Sequence, residues 1–486
     1  MKKVLWLVLT MPLWLMACSS EQADPSAESV SANESVSSAE PETNIETESQ
    51  ASELLVRGVS LIDGTGAGLQ TGIDIRISDG RIVEIGTDLT ASDESESIDG
   101  RGKYVIPGLI DSHVHLDAPV VFQLTPDEKA QIIAHTPASF LYNGVTTVLN
   151  VSSEVDWIFE QRQAEREDKL MSPRIYAMGR SLTPEGGWGG RHGGALANTE
   201  DALARAQDYI DRGTDGFKVI IEDGLGASGT YVRMSEEMMM AISGIAQENN
   251  VPIYTHAINL DEFHSAVKMS SRAIIHGLED PVPADDSIFQ DMVENNIAMV
   301  PTQSLWEAFL RHDEAAADLD DPILRASVPH FLLDYMQDPV YRAEETRRFL
   351  AVANMAVYKW AEEKIPVFME NILKAHEAGV LLATGTDAGG PVGFNFQGYN
   401  LPWEVKLFVQ AGLSPMDALL AATRNGAMVI GVEDQLGTIE VGKLADFLLL
   451  TANPLEDIEN IRKIETIIYK GKAYPRDQFA YQAPTP

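Results

Sequence analysis

The stretch Val-Ile-Pro-Gly-Leu-Ile-Asp-Ser-His-Val-His, residues 105–115, decides how this chain folds. Its apolar run ends in two histidines, His113 and His115, which are two positions apart. Residues i and i+2 of an extended strand project on the same side, so both imidazoles can reach one metal ion. The stretch therefore predicts a buried strand with a metal site at its carboxyl end.

Four more residues with metal-binding potential lie in or directly after short apolar runs. Imidazole and carboxylate ligands of this kind suit zinc and similar divalent ions. An ordered set of this size is hard to explain by chance, because each member follows the same strand-like pattern. The four residues are Lys218, His256, His276 and Asp387, within segments 216–221, 251–256, 273–276 and 381–389.

Apolar runs alternate with helical stretches through the middle of the chain. Eight such β-then-α units predict an α/β fold, a closed (β/α)8 TIM barrel, whose chemistry lies at the carboxyl ends of its strands. The six candidate ligands fall at those ends. Helical periodicity is clear in segments 200–212, 235–250 and 415–430. The candidate strands lie near residues 105–110, 145–151, 174–178, 216–221, 251–255, 272–275, 297–301 and 379–384.

Both ends of the folded part contain short strands with glycine turns. We therefore predict one small β-sandwich domain built from residues 54–107 and 432–475, beside a barrel at 108–431. Within the first segment, Asp79 and Gly80 separate two runs that alternate apolar and polar residues. This pattern is typical of a β-hairpin.

The largest excess of chain lies between strands seven and eight of the predicted barrel. Residues 302–378 are helical by pattern and rich in Glu, Ala, Met and aromatic residues, which predicts an inserted helical pair. Such an insertion could be a lid over the pocket or a purely structural elaboration. The sequence leaves both alternatives open.

The first residues form a targeting segment. Two lysines precede an apolar run from Val4 to Met16, which fits a signal peptide and is too short for a comfortable membrane span. The run leads into Cys18, the only cysteine, in a pattern that resembles the bacterial lipoprotein box. We expect removal of residues 1–17 and membrane attachment through a lipid on Cys18. Ordinary secretory cleavage is the alternative.

Residues 18–53 are rich in Ser, Glu, Ala and Thr and contain no Lys or Arg. Such a segment cannot bury enough apolar surface to offset its ordering entropy, which predicts a disordered acidic tether. Ser19 resembles the residue found in lipoproteins sorted to the outer membrane, so we expect an envelope protein facing the periplasm. The formal charge of −37 argues against a nucleic-acid partner.

The chain resembles the amidohydrolase superfamily over residues 54–474. Within it, the chain looks most like the imidazolonepropionase-like branch, which includes prolidase-like Xaa-Pro and Xaa-Arg dipeptidases and hydrolases of N-acyl amino acids. The matching motifs are Pro-Gly-Leu-Ile-Asp-Ser-His-Val-His, Tyr-Asn-Gly-Val-Thr-Thr-Val, Gly-Phe-Lys-Val-Ile, Thr-His-Ala, Ile-Ile-His-Gly, Ala-Thr-Gly-Thr-Asp-Ala-Gly-Gly, Leu-Ala-Ala-Thr-Arg-Asn-Gly-Ala and Gly-Thr-Ile-Glu-Val-Gly-Lys-Leu-Ala-Asp.

The resemblance implies two divalent metal ions, with zinc first and cobalt, manganese or iron as alternatives. His113, His115 and Asp387 would hold the more buried ion. His256 and His276 would hold the more exposed one. The resemblance also implies hydrolysis of a C–N bond of a dipeptide or N-acyl amino acid by a hydroxide between the ions, with Asp387 passing the proton to the leaving amine. A pure ligand role is the alternative for Asp387.

Lys218 would bridge both ions after its amine reacts with carbon dioxide to give an N6-carboxylated lysine. The carbamate is required because an ammonium cannot ligate a cation, whereas a carbamate offers two anionic oxygens. Burial on an apolar strand favours the neutral amine that this reaction needs. Taken alone, Lys218 could equally reach out of the barrel or pair with a carboxylate.

Four weaker candidates concern the substrate. His192, in the glycine-dense loop 185–194, resembles a histidine that branch members place over the metal centre, and Tyr231 could donate a hydrogen bond to the oxyanion. Arg191 and Arg233 could bind a substrate carboxylate bidentately. The alternatives are a loop histidine with no catalytic part, packing of the tyrosine, and surface salt bridges.

Three rival functions stay open. A lactonase or esterase could use the same metal centre, because an activated water does not by itself distinguish amides from esters. A mononuclear deaminase or imidazolone hydrolase would not need Lys218. A non-catalytic, ligand-binding lipoprotein is the rival from another class, and the complete ligand set argues against it. The exact small-molecule substrate and a homo-oligomer are left open.

Overall fold

A computed structural model describes residues 53–90, 95–118, 121, 123–190, 194–224, 231–310, 319–353, 357–389 and 394–482. The signal peptide, Cys18 and nearly all of the acidic tether therefore lie outside the described residues, so lipid attachment and envelope location stay predictions. Arg191 and His192 lie outside them as well.

Strands from both ends of the chain form one sheet. Strand β5 joins the two ends, because it pairs parallel with β1 and antiparallel with β15. The order is β17-β16-β15-β5-β1-β2-β3, with β4 also paired to β1. The strands are β1 (Glu53–Leu61), β2 (Gln70–Ser78), β3 (Arg81–Gly86), β4 (Glu96–Asp99), β5 (Tyr104–Pro107), β15 (Phe447–Leu450), β16 (Ile464–Tyr469) and β17 (Lys472–Pro475).

The predicted hairpin is confirmed. Ser78 of β2 pairs with Arg81 of β3, so the two residues between them make the turn. Asp79 and Gly80 both have positive φ, 51° and 74°, as a two-residue turn of this kind requires.

The middle of the chain contributes parallel strands that are almost wholly buried. Three pair in the order β6-β7-β8 and four in the order β11-β12-β13-β14, while the short strands β9 and β10 pair with each other. Burial on both faces is typical of parallel strands covered by helices. The bounds are β6 (Leu109–Val114), β7 (Val145–Asn150), β8 (Arg174–Ala177), β9 (Thr183–Pro184), β10 (Ala195–Leu196), β11 (Phe217–Ile220), β12 (Ile253–His256), β13 (Ala273–Ile275) and β14 (Ala298–Val300).

Single bridges connect these two sets of strands. Leu182, beyond β8, pairs with Val219 of β11, and Leu382 pairs with Met299 of β14. The segment near 379–384 was predicted to be a regular strand, and that prediction was wrong. Leu382 makes an isolated bridge there, and the chain leaves extended geometry further on, at Asp387, whose φ is 56°.

Helices alternate with the parallel strands, so the mixed α/β class is confirmed. The segment 415–430, which shows helical periodicity, forms two helices with a break at Ala422 and Thr423. No helix in the described ranges is both long and apolar enough to cross a membrane. The helices outside the insertion are α1 (Pro126–Tyr142), α2 (Val155–Arg166), α3 (Thr199–Asp211), α4 (Glu236–Glu248), α5 (Leu260–Lys268), α6 (Ile288–Glu294), α12 (Leu401–Ala411), α13 (Pro415–Ala421) and α14 (Arg424–Ile430), with 3₁₀ turns at Ile458–Arg462 and Arg476–Phe479.

The inserted segment 302–378 is more complex than the expected helical pair. Its described residues form five helices. Two of them start at a proline, which is pre-organised for the first helical turn. The helices are α7 (Gln303–Leu310), α8 (Pro322–Ser327), α9 (His330–Gln337), α10 (Pro339–Ala353) and α11 (Val357–Ala378).

A buried ion pair ties the parallel strands to the terminal sheet. Arg174 Nε at the start of β8 lies 2.6 Å from Asp446 Oδ2, just before β15, and the Asp446 side chain is 1% exposed. Asp446→Ala would leave the guanidinium buried without its partner, so we expect the free energy of unfolding to fall by about 3 kcal/mol.

Denaturant unfolding of Asp446→Ala should be compared with that of Asp99→Ala. Asp99 pairs with Arg101, and both side chains are largely exposed. Exposed pairs contribute little, so the Asp99 variant should unfold almost as the wild type does. Equal stability of the two variants would contradict the structural role of the buried pair.

Candidate metal centre

The first part of the centre consists of His113, His115 and Asp387. His113 lies in β6, and His115 directly follows that strand. Both histidines point a ring nitrogen at the same oxygen, with Nε2 of His113 3.3 Å and Nε2 of His115 2.9 Å from Asp387 Oδ1. The ligand atoms of these three residues lie within 4.8 Å of one another, which suits a divalent cation.

The second part consists of His256, the last residue of β12, and His276, directly after β13. Their ring centroids are 4.1 Å apart. The His276 ring is also 5.2 Å from that of His113, so the two parts adjoin. His276 Nδ1 contacts Thr302 Oγ1 at 2.9 Å, and His256 Nε2 contacts the carboxylate of Glu222. Each ring therefore has one nitrogen engaged and one left for a ligand.

Lys218 of β11 is near both parts, because its charge contributes to the pKa of His113, His256 and His276. Its side chain is 3% exposed, and Nζ has no hydrogen-bond partner among the described residues. Burial lowers the pKa of Lys218 to about 7, although the charges of Asp387 and Glu222 oppose the shift. A buried amine without a partner is costly unless something else binds it.

Burial also keeps three of the histidines neutral. It lowers the pKa of His113 to about 3, and it lowers the pKa of His256 and His276 well below the usual value, with the nearby Lys218 contributing in each case. Neutral imidazole is the form that binds metals.

The contact between His115 and Asp387 determines the protonation state of both residues. Burial alone would raise the pKa of Asp387, but its contacts with His113 and His115 hold that pKa well below its usual range. Burial alone would lower the pKa of His115, but its hydrogen bond to Asp387 and the Asp387 charge outweigh burial and raise it. Asp387 is therefore an ionised carboxylate.

The backbone is strained at this centre. His276, Thr302 and Asp387 have φ of 82°, 49° and 56°, a region that residues other than glycine rarely adopt. Two of the three are candidate ligands, and the third contacts one of them. Such strain persists where the surrounding structure imposes a geometry that function uses.

Sequence reasoning missed several supporting groups. Glu222 and Thr302 each engage a histidine of the second part, and the backbone oxygen of Ser152 lies 2.8 Å from His115 Nδ1. Asp111 accepts hydrogen bonds from Thr386 Oγ1 and N at 2.6 and 3.0 Å beneath His113. The available signal was period-two spacing, because Asp111 shares a strand face with His113.

The weaker candidates are placed as follows. Tyr231 packs its ring 5.3 Å from that of Trp188, in the glycine-rich loop that leads to His192. Arg233 pairs with Asp261 at 2.6 Å and donates to Ser265 Oγ at 2.9 Å. Arg233 therefore forms a salt bridge, which was the alternative to binding a substrate carboxylate.

The insertion packs against the second part of the centre. Trp306 of α7 has its ring centroid 5.8 Å from that of His276, and Trp360 and Phe368 of α11 lie 5.1 and 5.4 Å from Trp306. Trp360 Nε1 donates to Glu279 Oε2 at 2.6 Å. The insertion therefore supplies an aromatic wall beside the metal centre.

Comparison with known proteins is consistent with this arrangement. The model of the amidohydrolase family matches residues 104–474. Imidazolonepropionase of Symbiobacterium thermophilum is 23% identical over 401 residues, which are 77% of this chain and 82% of that protein. Dihydroorotase of Trichlorobacter lovleyi is 40% identical over 95 residues, so this match spans only 20% of the chain and 21% of that relative.

Solved structures resemble the whole folded part. A Xaa-Pro dipeptidase crystallised with bound methionine is 25% identical with a TM-score of 0.70, covering 87% of this chain and 100% of that one. A putative prolidase from Bifidobacterium longum shares the fold at 24% identity and a TM-score of 0.68, covering 87% of this chain and 94% of that one. The matched region and the shared fold lead to one conclusion: the chain belongs to the amidohydrolase family.

Proposed function

We propose that the protein is a binuclear metallohydrolase on a (β/α)8 barrel, which cleaves the C–N bond of a dipeptide or an N-acyl amino acid. Family membership makes it a hydrolase acting on C–N bonds. The observation that carries the finer proposal is Lys218, a buried amine without a described hydrogen-bond partner, whose charge acts on histidines of both groups of metal-binding side chains.

The residues that would hold the ions fit divalent cations. His113, His115 and Asp387 already converge, and the rings of His256 and His276 are in contact. A carboxylated Lys218 would add two anionic oxygens between them, filling the place of the amine that lacks a partner. Two bound cations would lower the pKa of water and polarise a substrate carbonyl.

The chain's own residues supply the proton transfer. Asp387 is held ionised by His113 and His115, so one of its oxygens can accept the proton of the attacking water. The same carboxyl can deliver that proton to the leaving nitrogen as the C–N bond breaks. The likeness to a Xaa-Pro dipeptidase supports an amine leaving group next to a carboxylate.

A substrate panel tests the proposal. Zinc-loaded protein should release amine from some of the Xaa-Pro dipeptides, Xaa-Arg dipeptides and N-acyl amino acids, and the same preparation should be assayed with lactones. Turnover confined to lactones would show that the protein is a lactonase or esterase and not an amide hydrolase. Absence of turnover on the whole panel would favour a binding protein.

The lowered pKa of Lys218 predicts a pH dependence of metal-site assembly. With a pKa of about 7, about a tenth of the amine is neutral at pH 6 and about nine tenths at pH 8. Only the neutral amine reacts with carbon dioxide, so formation of the carboxylated lysine should be about tenfold faster at pH 8.

The measurement starts from metal-free protein incubated at each pH with zinc and a fixed concentration of dissolved carbon dioxide. Native mass spectrometry would follow the added mass, and activity would be read at one common assay pH. Equal rates at pH 6 and pH 8 would show that the amine does not titrate in this window.

A further inference from the structure

We propose that Glu222 is a positioning residue that makes His256 present Nδ1, rather than Nε2, to the second metal ion. The inference rests on the proposed binuclear function and assigns a role to a residue outside the six candidate ligands. It follows from which ring nitrogens are already engaged.

The histidines do not all engage the same nitrogen. His115 uses Nδ1 on the Ser152 carbonyl and turns Nε2 to its fellow candidate ligand Asp387. His276 uses Nδ1 on Thr302 Oγ1, which leaves Nε2 for an ion. His256 is reversed, because its Nε2 faces Glu222 Oε2. The two rings of the second part therefore turn opposite nitrogens toward the space they share.

A carboxylate in this position selects the tautomer. Glu222 lies two residues beyond β11, and its side chain is 1% exposed, so the contact with His256 is shielded from water. A carboxylate oxygen accepts, which requires the proton of neutral His256 to sit on Nε2 and leaves the lone pair on Nδ1. Carboxylates that hold a ligating histidine in this way also raise its basicity.

Two neighbouring buried carboxyl groups, those of Glu262 and Glu279, form hydrogen bonds with other partners. Glu262 accepts hydrogen bonds from two backbone amides, that of Ile258 and that of Asn259, which is the N-cap of α5. It therefore shapes the start of that helix. Glu279 accepts from the indole of Trp360. Of these three acids, only Glu222 contacts a histidine in the hydrogen bonds described. Glu279 is therefore a matched control for removing one buried negative charge near the site.

The test compares Glu222→Gln with Glu279→Gln in the full-length protein. Zinc content at buffered free zinc and the visible spectrum of the cobalt-loaded protein report the second site directly. We expect Glu222→Gln to weaken the second ion by about 10- to 100-fold while the first ion stays. Glu279→Gln should hold two ions as the wild type does. Thermal unfolding of the metal-free proteins measures any structural effect separately.

Several outcomes would overturn the inference. Glu222→Gln could retain both ions at wild-type affinity, or both variants could lose the ion equally, which would show a general charge effect. If Glu222→Gln fails to fold, a crystal structure of the zinc-loaded wild type decides, since Nε2 of His256 on the ion would exclude the proposed role. Wild-type protein that binds one ion and releases no amine would instead overturn the proposed function, before any variant is compared.

Discussion

Replacing Lys218 with alanine is expected to remove at least one metal ion per chain and to lower kcat/KM by more than about 100-fold. Loss of a group that merely orients a metal ligand costs about 10- to 100-fold, and a bridging ligand holds both ions at once. The lysine is fully buried and central, because its charge contributes to the pKa of His113, His256 and His276.

The measurement is metal content together with amine release, before and after addition of a short carboxylic acid such as propionate. The acid should restore part of the activity, since it can place two oxygens in the space vacated by the side chain. Lys268→Ala, on the exposed last turn of α5, is the matched control and should behave as the wild type. One ion per chain with full activity in Lys218→Ala would revive a mononuclear mechanism. Two retained ions with full activity would instead indicate a purely structural lysine.

Replacing Gly389 with alanine is expected to destabilise the protein by about 4 kcal/mol and to lower its metal content. Gly389 has φ of 100°, and an added Cβ would lie 2.2 Å from the backbone oxygen of His115. That oxygen cannot move alone, because the His115 amide donates to the Ala388 carbonyl at 2.9 Å. The substitution should therefore displace both Asp387 and the end of β6.

Gly442→Ala provides the control for backbone strain alone. Gly442 has φ of 93°, and nothing lies within 4 Å of an added Cβ. Its substitution should cost only the left-handed conformation, about 1 kcal/mol, and leave the metal content unchanged. Equal unfolding free energies for the two variants would show that the contact with His115 is not what requires glycine at position 389.

Local patterns accounted for much of the architecture. The hairpin at Asp79 and Gly80 follows from the φ values that a two-residue turn needs, and the sheet shared by segments 53–107 and 447–475 follows from their strand patterns. The convergence of His113 and His115 follows from the two-residue period of a strand. These features are decided within a few residues, so one sequence is enough to predict them.

Contacts between residues far apart in the sequence could not be predicted from local patterns. Glu222 meets His256 and Thr302 meets His276 only because neighbouring parallel strands end at the same edge. The prediction for the insertion was too simple, because a uniformly helical composition conceals the breaks between its helices. Pro322 and Pro339 were a usable signal, because proline favours the first turn of a helix.

The order in which the ribosome makes the strands has a consequence for folding. Strand β5 is synthesised early, yet its antiparallel neighbour β15 emerges only near the end of translation. Until then, one edge of β5 presents unpaired amides and carbonyls on an apolar strand, a template for pairing with other chains. A nascent chain stalled before residue 447 should consequently aggregate or recruit a chaperone. A circularly permuted chain that begins at β15 should not, because β15 is then already present when β5 is synthesised.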